Sequence, residues 1–155
     1  MKELVNEVVS IEAPPAMVWS FIADIENYPE WLSGVESVRI VEQGESGLVG
    51  LRWEETRKMF GKEAVETMWI TRAEPLKFYQ VEAHNHGAKY FSKLSVDVRP
   101  GGCELTMSFR AKALTLGAKV STLLMAPLMK SSVRKMVIKD LNDIKTAAER
   151  RAEAA

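Results

Sequence analysis

The chain has 155 residues, of which 46% are apolar, enough to build an ordinary core and too many for a disordered segment. Its 21 Lys and Arg balance 21 Asp and Glu, which argues against a general nucleic-acid binder, since phosphate neutralisation calls for a basic surplus. A single cysteine, Cys103, excludes an internal disulfide and a thiolate zinc cage; this suits a reducing compartment and makes a cytoplasmic setting the expectation.

The N-terminal stretch Met1 to Glu7 breaks its apolar residues with charges, and the longest apolar run, Leu123 to Met129, is far shorter than the ~20 residues that span a bilayer. Neither a signal peptide nor a membrane span is expected. Glu3 to Glu12, rich in Val and Ile, reads as a strand that stops at Ala13-Pro14-Pro15, where proline can occupy the first turn of a helix. Val18, Phe21, Ile22 and Ile25 recur at spacings of three and four, as a short amphipathic helix requires, and Asn27 can cap a second one.

After Ser33-Gly34 the period becomes two around Val38 and Ile40, followed by a turn at 43–47. Strands are predicted over Leu48–Met59, Lys62–Ala73, Leu76–His84, Ala88–Val98 and Cys103–Ala113, joined by links short enough for hairpins. Tyr90, Ser92, Leu94, Val96 and Val98 share one face, as do Cys103, Leu105, Met107, Phe109 and Ala111. The segment from Gly117 to Arg150 carries a helical stripe of Val120, Leu124, Leu128, Val133, Val137, Leu141, Ile144 and Ala148, and Pro127 predicts a kink or break within it.

The expected fold is α+β: a curved antiparallel sheet of about seven strands wrapped around a long C-terminal helix, with two short helices after the first strand. No linker, repeat or low-complexity tract divides the chain, so residues 1–155 read as one domain.

The tract Ala13 to Trp31 contains Pro-x-x-x-Val-Trp at a helix start and then Asp-Ile-Glu-Asn-Tyr-Pro-Glu-Trp. Together with Glu74-Pro75 and the closing Asp140-Leu141-x-x-Ile144-Lys145-x-x-x-Glu149, it resembles the START-like (SRPBCC, Bet v 1-like) superfamily, and within it the polyketide cyclase/dehydrase-like branch. The resemblance covers nearly the whole chain and implies a helix-grip fold. Members range from lipid and sterol carriers through cyclases and dehydratases to chaperone-associated and toxin-like modules, so it leaves the chemistry open. A related coenzyme-Q-binding and ribosome-association toxin branch shares the turn of Asp24, Glu26, Tyr28, Pro29 and Glu30. That branch usually carries phenylalanine where this chain has Trp31.

A helix laid across a curved sheet leaves a chamber unless bulky side chains plug it. Its expected lining is Met68, Ile70, Tyr90, Leu94, Met107 and Phe109 from the strands, with Leu124, Met125, Leu128, Met129 and Met136 from the helix. Methionine adapts to variable guests, although each of these side chains serves equally as plain core. Glu7 and Glu66 fall in phase with apolar strand residues; burial would make them proton donors or ligand anchors, and the simpler alternative is edge exposure or an ion pair with Arg52 or Arg57. Tyr90 and Tyr79 are further polar candidates. His84 and His86 share a strand face beside a turn, with no nearby cysteine or carboxylate in sequence, and read as a solvent-exposed pair rather than a metal site.

Trp53 and Trp69 occupy the two strands of one hairpin, and whichever points inward would report ligand binding by fluorescence. Phosphate loops, nucleophile elbows and paired-cysteine motifs are missing from the sequence, so no cofactor and no metal is expected. Residues 1–104 hold 17 acids and 11 bases, whereas 105–139 hold seven bases and no acid. That asymmetry reads first as a solvated basic face, and secondarily as a patch over 110–139 for transient contact with an acidic membrane. The functional expectation is binding of a small hydrophobic ligand such as a lipid, quinone or polycyclic compound, as carrier or sensor. The alternatives are a cyclase/dehydratase using Glu66, Glu7 and Tyr90, and an interaction module of the coenzyme-Q-binding or toxin-like kind.

Overall fold

The computed structural model describes the backbone of residues 2–59, 61–85 and 87–155, and the side chains within those ranges except at positions 2, 59, 118 and 120–129. The elements follow the predicted order. β1 (Lys2–Ile11) leads into α1 (Pro15–Ile22), where Pro15 sits in the first turn, then a 3-10 helix (Ile25–Glu30). β2 (Val35–Glu42), β3 (Arg52–Met59), β4 (Lys62–Glu74), β5 (Phe78–Asn85), β6 (Ala88–Arg99) and β7 (Gly102–Ala113) precede α2 (Leu116–Ala154).

All neighbouring strands are antiparallel in the order β1-β7-β6-β5-β4-β3-β2. Register breaks between Glu3 and Val5, Val35 and Ser37, Ile40 and Glu42, and Ile70 and Arg72 increase the local twist and bend the sheet. Its concave face carries the predicted alternation: Leu94 pairs with Met107, Val96 with Leu105, and Tyr90 with Ala111. Val98 continues that face but is exposed, lying where the sheet runs past its cover.

Four local expectations are corrected. β3 begins at Arg52, because 43–51 is a loop in which Gly47 and Gly50 adopt φ of 139° and 91° and Leu51 N bonds back to Leu48 O. β5 begins at Phe78, because Pro75 and Leu76 occupy the corners of a turn closed by Lys77 N to Glu74 O, with Leu76 at φ 68°. Asn27 lies inside the 3-10 helix, its amide bonding the carboxylate of the N-cap residue Asp24. Finally, α2 runs as continuous helix through Pro127, so of the kink or break expected there the break does not occur.

α2 is about 58 Å long at ~1.5 Å per residue and lies on the concave face. Val133, Val137, Leu141, Ile144 and Ala148 form its buried stripe as predicted, each Val, Leu or Ile contributing about 1.5–3 kcal/mol on burial. Val120, Leu124 and Leu128 lie outside the described side chains. Polar ties fix the register of helix on sheet: Asp143 accepts from Ser33 N and Oγ, Glu149 accepts from Glu12 N, and Lys145 donates to Ser10 O.

Candidate functional site

β3 presents Trp53, Glu55 and Arg57 on one face at alternate positions, and pairing with β4 sets them opposite Met68, Glu66 and Ala64. This face looks onto α2, whose buried stripe places Asp140 one turn beyond Val137. Arg57 therefore sits between two carboxylates. Its Nε donates to Glu55 Oε2 at 2.7 Å, and its terminal nitrogens donate to Asp140 at 3.2 and 2.7 Å. Glu55 and Asp140 are only 6% and 4% exposed, so the ion pairs join sheet to helix out of water.

Burial by itself would depress the Arg57 pKa, but Asp140 and Glu55 outweigh it and hold the guanidinium firmly charged. Asp140 moves up from the ordinary aspartate value, chiefly through burial and against the pull of Arg57, with Glu55 and Asp143 pushing the same way as burial. Two carboxylates and one guanidinium leave this cluster one negative charge in excess when both acids are ionised.

Beside it, the Tyr28 and Tyr79 hydroxyls contact each other and both donate to Ile22 O, at 2.6 and 2.9 Å. Burial raises both phenol pKa values, so these groups stay protonated, their protons engaged by Ile22 O. The tyrosines and the ion cluster border a cavity of about 70 Å³, whose apolar wall includes Trp53, Met68, Leu94 and Met107. Arg57 and Asp140 also line an outer cleft of about 290 Å³ between β3 and α2, together with Gly34, Lys58, Ser132, Lys135, Met136 and Lys139. The Arg57–Asp140 pair thus borders both spaces.

The structure distributes the predicted site residues as follows. Met68, Leu94 and Met107 line the inner cavity, and Met136 lines the outer cleft. Ile70 is packed in the core, and Tyr90 stacks on Phe109 at 5.7 Å between ring centroids. Leu124, Met125, Leu128 and Met129 lie outside the described side chains. Glu66 accepts a hydrogen bond from Asn85 Nδ2 at 3.3 Å, and with burial it raises the Tyr90 pKa, burial being the larger cause. Glu7 pairs with Arg134 of α2 at 2.7 Å rather than with Arg52 or Arg57. Trp53 points inward, whereas Trp69 lies between the Arg52 guanidinium and the His84 ring.

His84 is exposed as expected, but the expectation of no nearby carboxylate is corrected: Glu82, two residues earlier on the same strand face, pairs with it at 2.8 Å. His86 lies outside the described residues. Among the described residues no group of three or more His, Cys, Asp and Glu is placed to hold a metal ion, and no described helix is long and apolar enough to cross a membrane.

Sequence reasoning missed Glu55, Arg57 and Asp140 as a unit. The available signals were Asp140 falling on the apolar stripe between Val137 and Ile144, and Glu55 falling directly opposite Glu66 once the hairpin register is drawn.

A curved antiparallel sheet gripping a C-terminal helix over a partly polar interior defines the START/Bet v 1-like class of proteins. The chain belongs to the polyketide cyclase/dehydrase and lipid transport family, whose sequence profile matches residues 3–149. It is similar in structure to the ZhuI aromatase/cyclase from Streptomyces sp. R1128, with TM-score 0.76 and 18% identity over 95% of this chain and 93% of that one. A START superfamily protein from Mycobacterium smegmatis gives TM-score 0.69 and 17% identity over 99% of both chains. The di-domain ARO/CYC BexL of the BE-7585A biosynthetic pathway gives TM-score 0.78 and 15% identity; this chain is covered over 94% and spans 49% of BexL. At these identities the likeness shows the fold. No curated protein matches the sequence.

Proposed function

We propose that the protein binds a small hydrophobic ligand, of the lipid, quinone or polycyclic kind, between the concave sheet and α2. The observation that carries this reading is a polar cluster buried where the fold has no need of one. Replacing a buried ion-pair set by apolar side chains is commonly neutral or stabilising, so Glu55, Arg57 and Asp140 are better explained by what they face than by what they hold together. They face a cavity walled by Met68, Leu94 and Met107, which supplies an apolar surface with a polar end.

The inner cavity, about 70 Å³, is smaller than the roughly 300–1,000 Å³ of ligand pockets. Uptake therefore requires it to grow, through methionine rotamer changes or through separation of the Arg57–Asp140 pair, which also borders the outer cleft. A Tyr28 or Tyr79 hydroxyl that leaves Ile22 O can then donate to a ligand carbonyl, and Ile70, Tyr90, Phe109 and Met136 extend the proposed contact surface.

Trp53 is 2% exposed, lines the cavity and serves as the reporter. Titration with anilinonaphthalene sulfonate or a short-chain quinone is expected to shift or quench its emission, and Trp53→Phe to remove that response, while native mass spectrometry of freshly purified protein shows bound cargo. No cargo together with an unresponsive Trp53 would sink the reading.

A second reading, an enzyme of the cyclase/dehydratase kind, is favoured by Asp140, a buried carboxyl whose pKa burial raises, set beside two protonated tyrosines, since a raised pKa suits a carboxyl to general-acid work. Glu66 and Tyr90 belong to the same concave face and are its further proposed groups, with Glu7 tied to Arg134. Under this reading Glu66→Gln abolishes turnover of a poly-carbonyl substrate while binding persists. Equal binding with no turnover by the parent protein favours the carrier. A cytoplasmic site of action remains part of the proposal.

A further inference from the structure

The charge asymmetry of the sequence becomes spatial in the fold. β3, β5 and β7 all end at the same side of the meander, where α2 begins. The β5–β6 turn is tied to the β7–α2 link by a hydrogen bond from Leu114 N to Gly87 O at 2.8 Å. On that link Leu114 and Leu116 are 49% and 78% exposed.

Around these leucines the side chains are basic. Lys89 and Lys112 stand directly opposite each other on β6 and β7, an arrangement that costs stability unless something anionic lies above it. Among the described residues, neither these two nor Lys62 and Lys119 form an ion pair. Of the carboxylates on these strand ends, Glu82 bonds His84, while Glu63 and Glu3 stand in register opposite the bases Lys58 and Arg110.

The opposite end of the sheet carries Glu12, Glu42, Glu45, Glu74 and Asp97, and its bases Arg52, Lys77 and Arg99 pair with Glu42, Glu74 and Glu104, so an anionic surface meets the hairpin-end lysines more favourably than this end. The basic tract 110–139 is not one patch, because Arg134 is engaged by Glu7 and Lys135 and Lys139 line the outer cleft.

We infer that the surface made by Lys62 at the start of β4, Lys89 and Lys112 at the ends of β6 and β7, and the β7–α2 link docks on an anionic lipid bilayer. Leu114 and Leu116 enter the headgroup–acyl boundary, and Lys62, Lys89, Lys112 and Lys119 meet the lipid phosphates. Two exposed leucines inside a lysine rim fit a bilayer better than a nucleic acid, which offers phosphate but no apolar phase. The surface uses none of the cavity residues and stands apart from the ligand reading.

Co-sedimentation of the full chain with vesicles of phosphatidylcholine, alone or mixed with phosphatidylserine, tests it. Binding is expected only to the mixed vesicles and is released by salt. Lys89→Gln with Lys112→Gln should lower the affinity about 25-fold, at about fivefold per lysine. Leu114→Ser with Leu116→Ser should lower it at least about tenfold. Thermal melting at or above that of the parent controls for folding in both pairs. The proposal is overturned by absence of binding to mixed vesicles, by binding indifferent to the leucine pair, or by tighter binding to single-stranded RNA at the same salt concentration.

Discussion

Arg57→Met is expected to destabilise the protein by about 3–5 kcal/mol at neutral pH, because it strands Glu55 and Asp140 as uncompensated charges in the interior. The loss should be strongly pH-dependent, and its sign follows from Asp140. The folded Asp140 pKa lies above the ordinary 3.8, so its contribution is fully present below that pH and is lost as pH rises through the folded value. Removing Arg57 removes the main influence holding that value down, which deepens the loss at neutral pH and spares acid conditions. Urea denaturation at neutral pH and near pH ~4 measures both ends. A deficit below about 1 kcal/mol, or one that does not shrink with acid, would show that the cluster is solvated and not a buried network. Asp140→Asn is the informative contrast: it leaves the Glu55–Arg57 pair electrically balanced and should cost far less than Arg57→Met.

The second large effect is on uptake. Met107 stands opposite Leu94 in the sheet and lines the inner cavity. Met107→Trp puts an indole into a space of about 70 Å³ and is expected to weaken dye or quinone binding at least about tenfold. Overpacking costs about 1–3 kcal/mol, which a domain of ordinary stability survives. Met107→Leu, nearly equal in volume, should bind as the parent does. Dye fluorescence and calorimetry on the three proteins decide the matter. Undiminished binding by the tryptophan variant would move the ligand away from this cavity, to the outer cleft around Met136 or to the part of α2 beyond it.

Both effects depend on the same geometric fact, that β3 and α2 meet across Arg57. Nothing in the local sequence around either element demands this meeting, since Asp140 and Arg57 are 83 residues apart. It follows from the curvature of the sheet and from the buried stripe that turns Asp140 inward.

Much of the architecture was legible in the chain itself. Period-two alternation on β6 and β7, short hairpin links and a helical stripe from Val133 to Ala148 determine which faces are apolar, and a single apolar face on each leaves one way to pack them. Met68, Leu94 and Met107 followed from that alternation and do line the cavity. The polar site was not legible. Glu55, Arg57 and Asp140 look like ordinary charged residues in sequence, and Glu7 looked inward-facing on the same pattern that made Val5 core, until α2 supplied Arg134 as its partner. Hydrophobic periodicity is a property of neighbouring residues and can be read along the chain. Whether a charge is solvated, paired or set against a cavity depends on which distant residue shares its few ångströms, and only the packing of α2 on the sheet decides that.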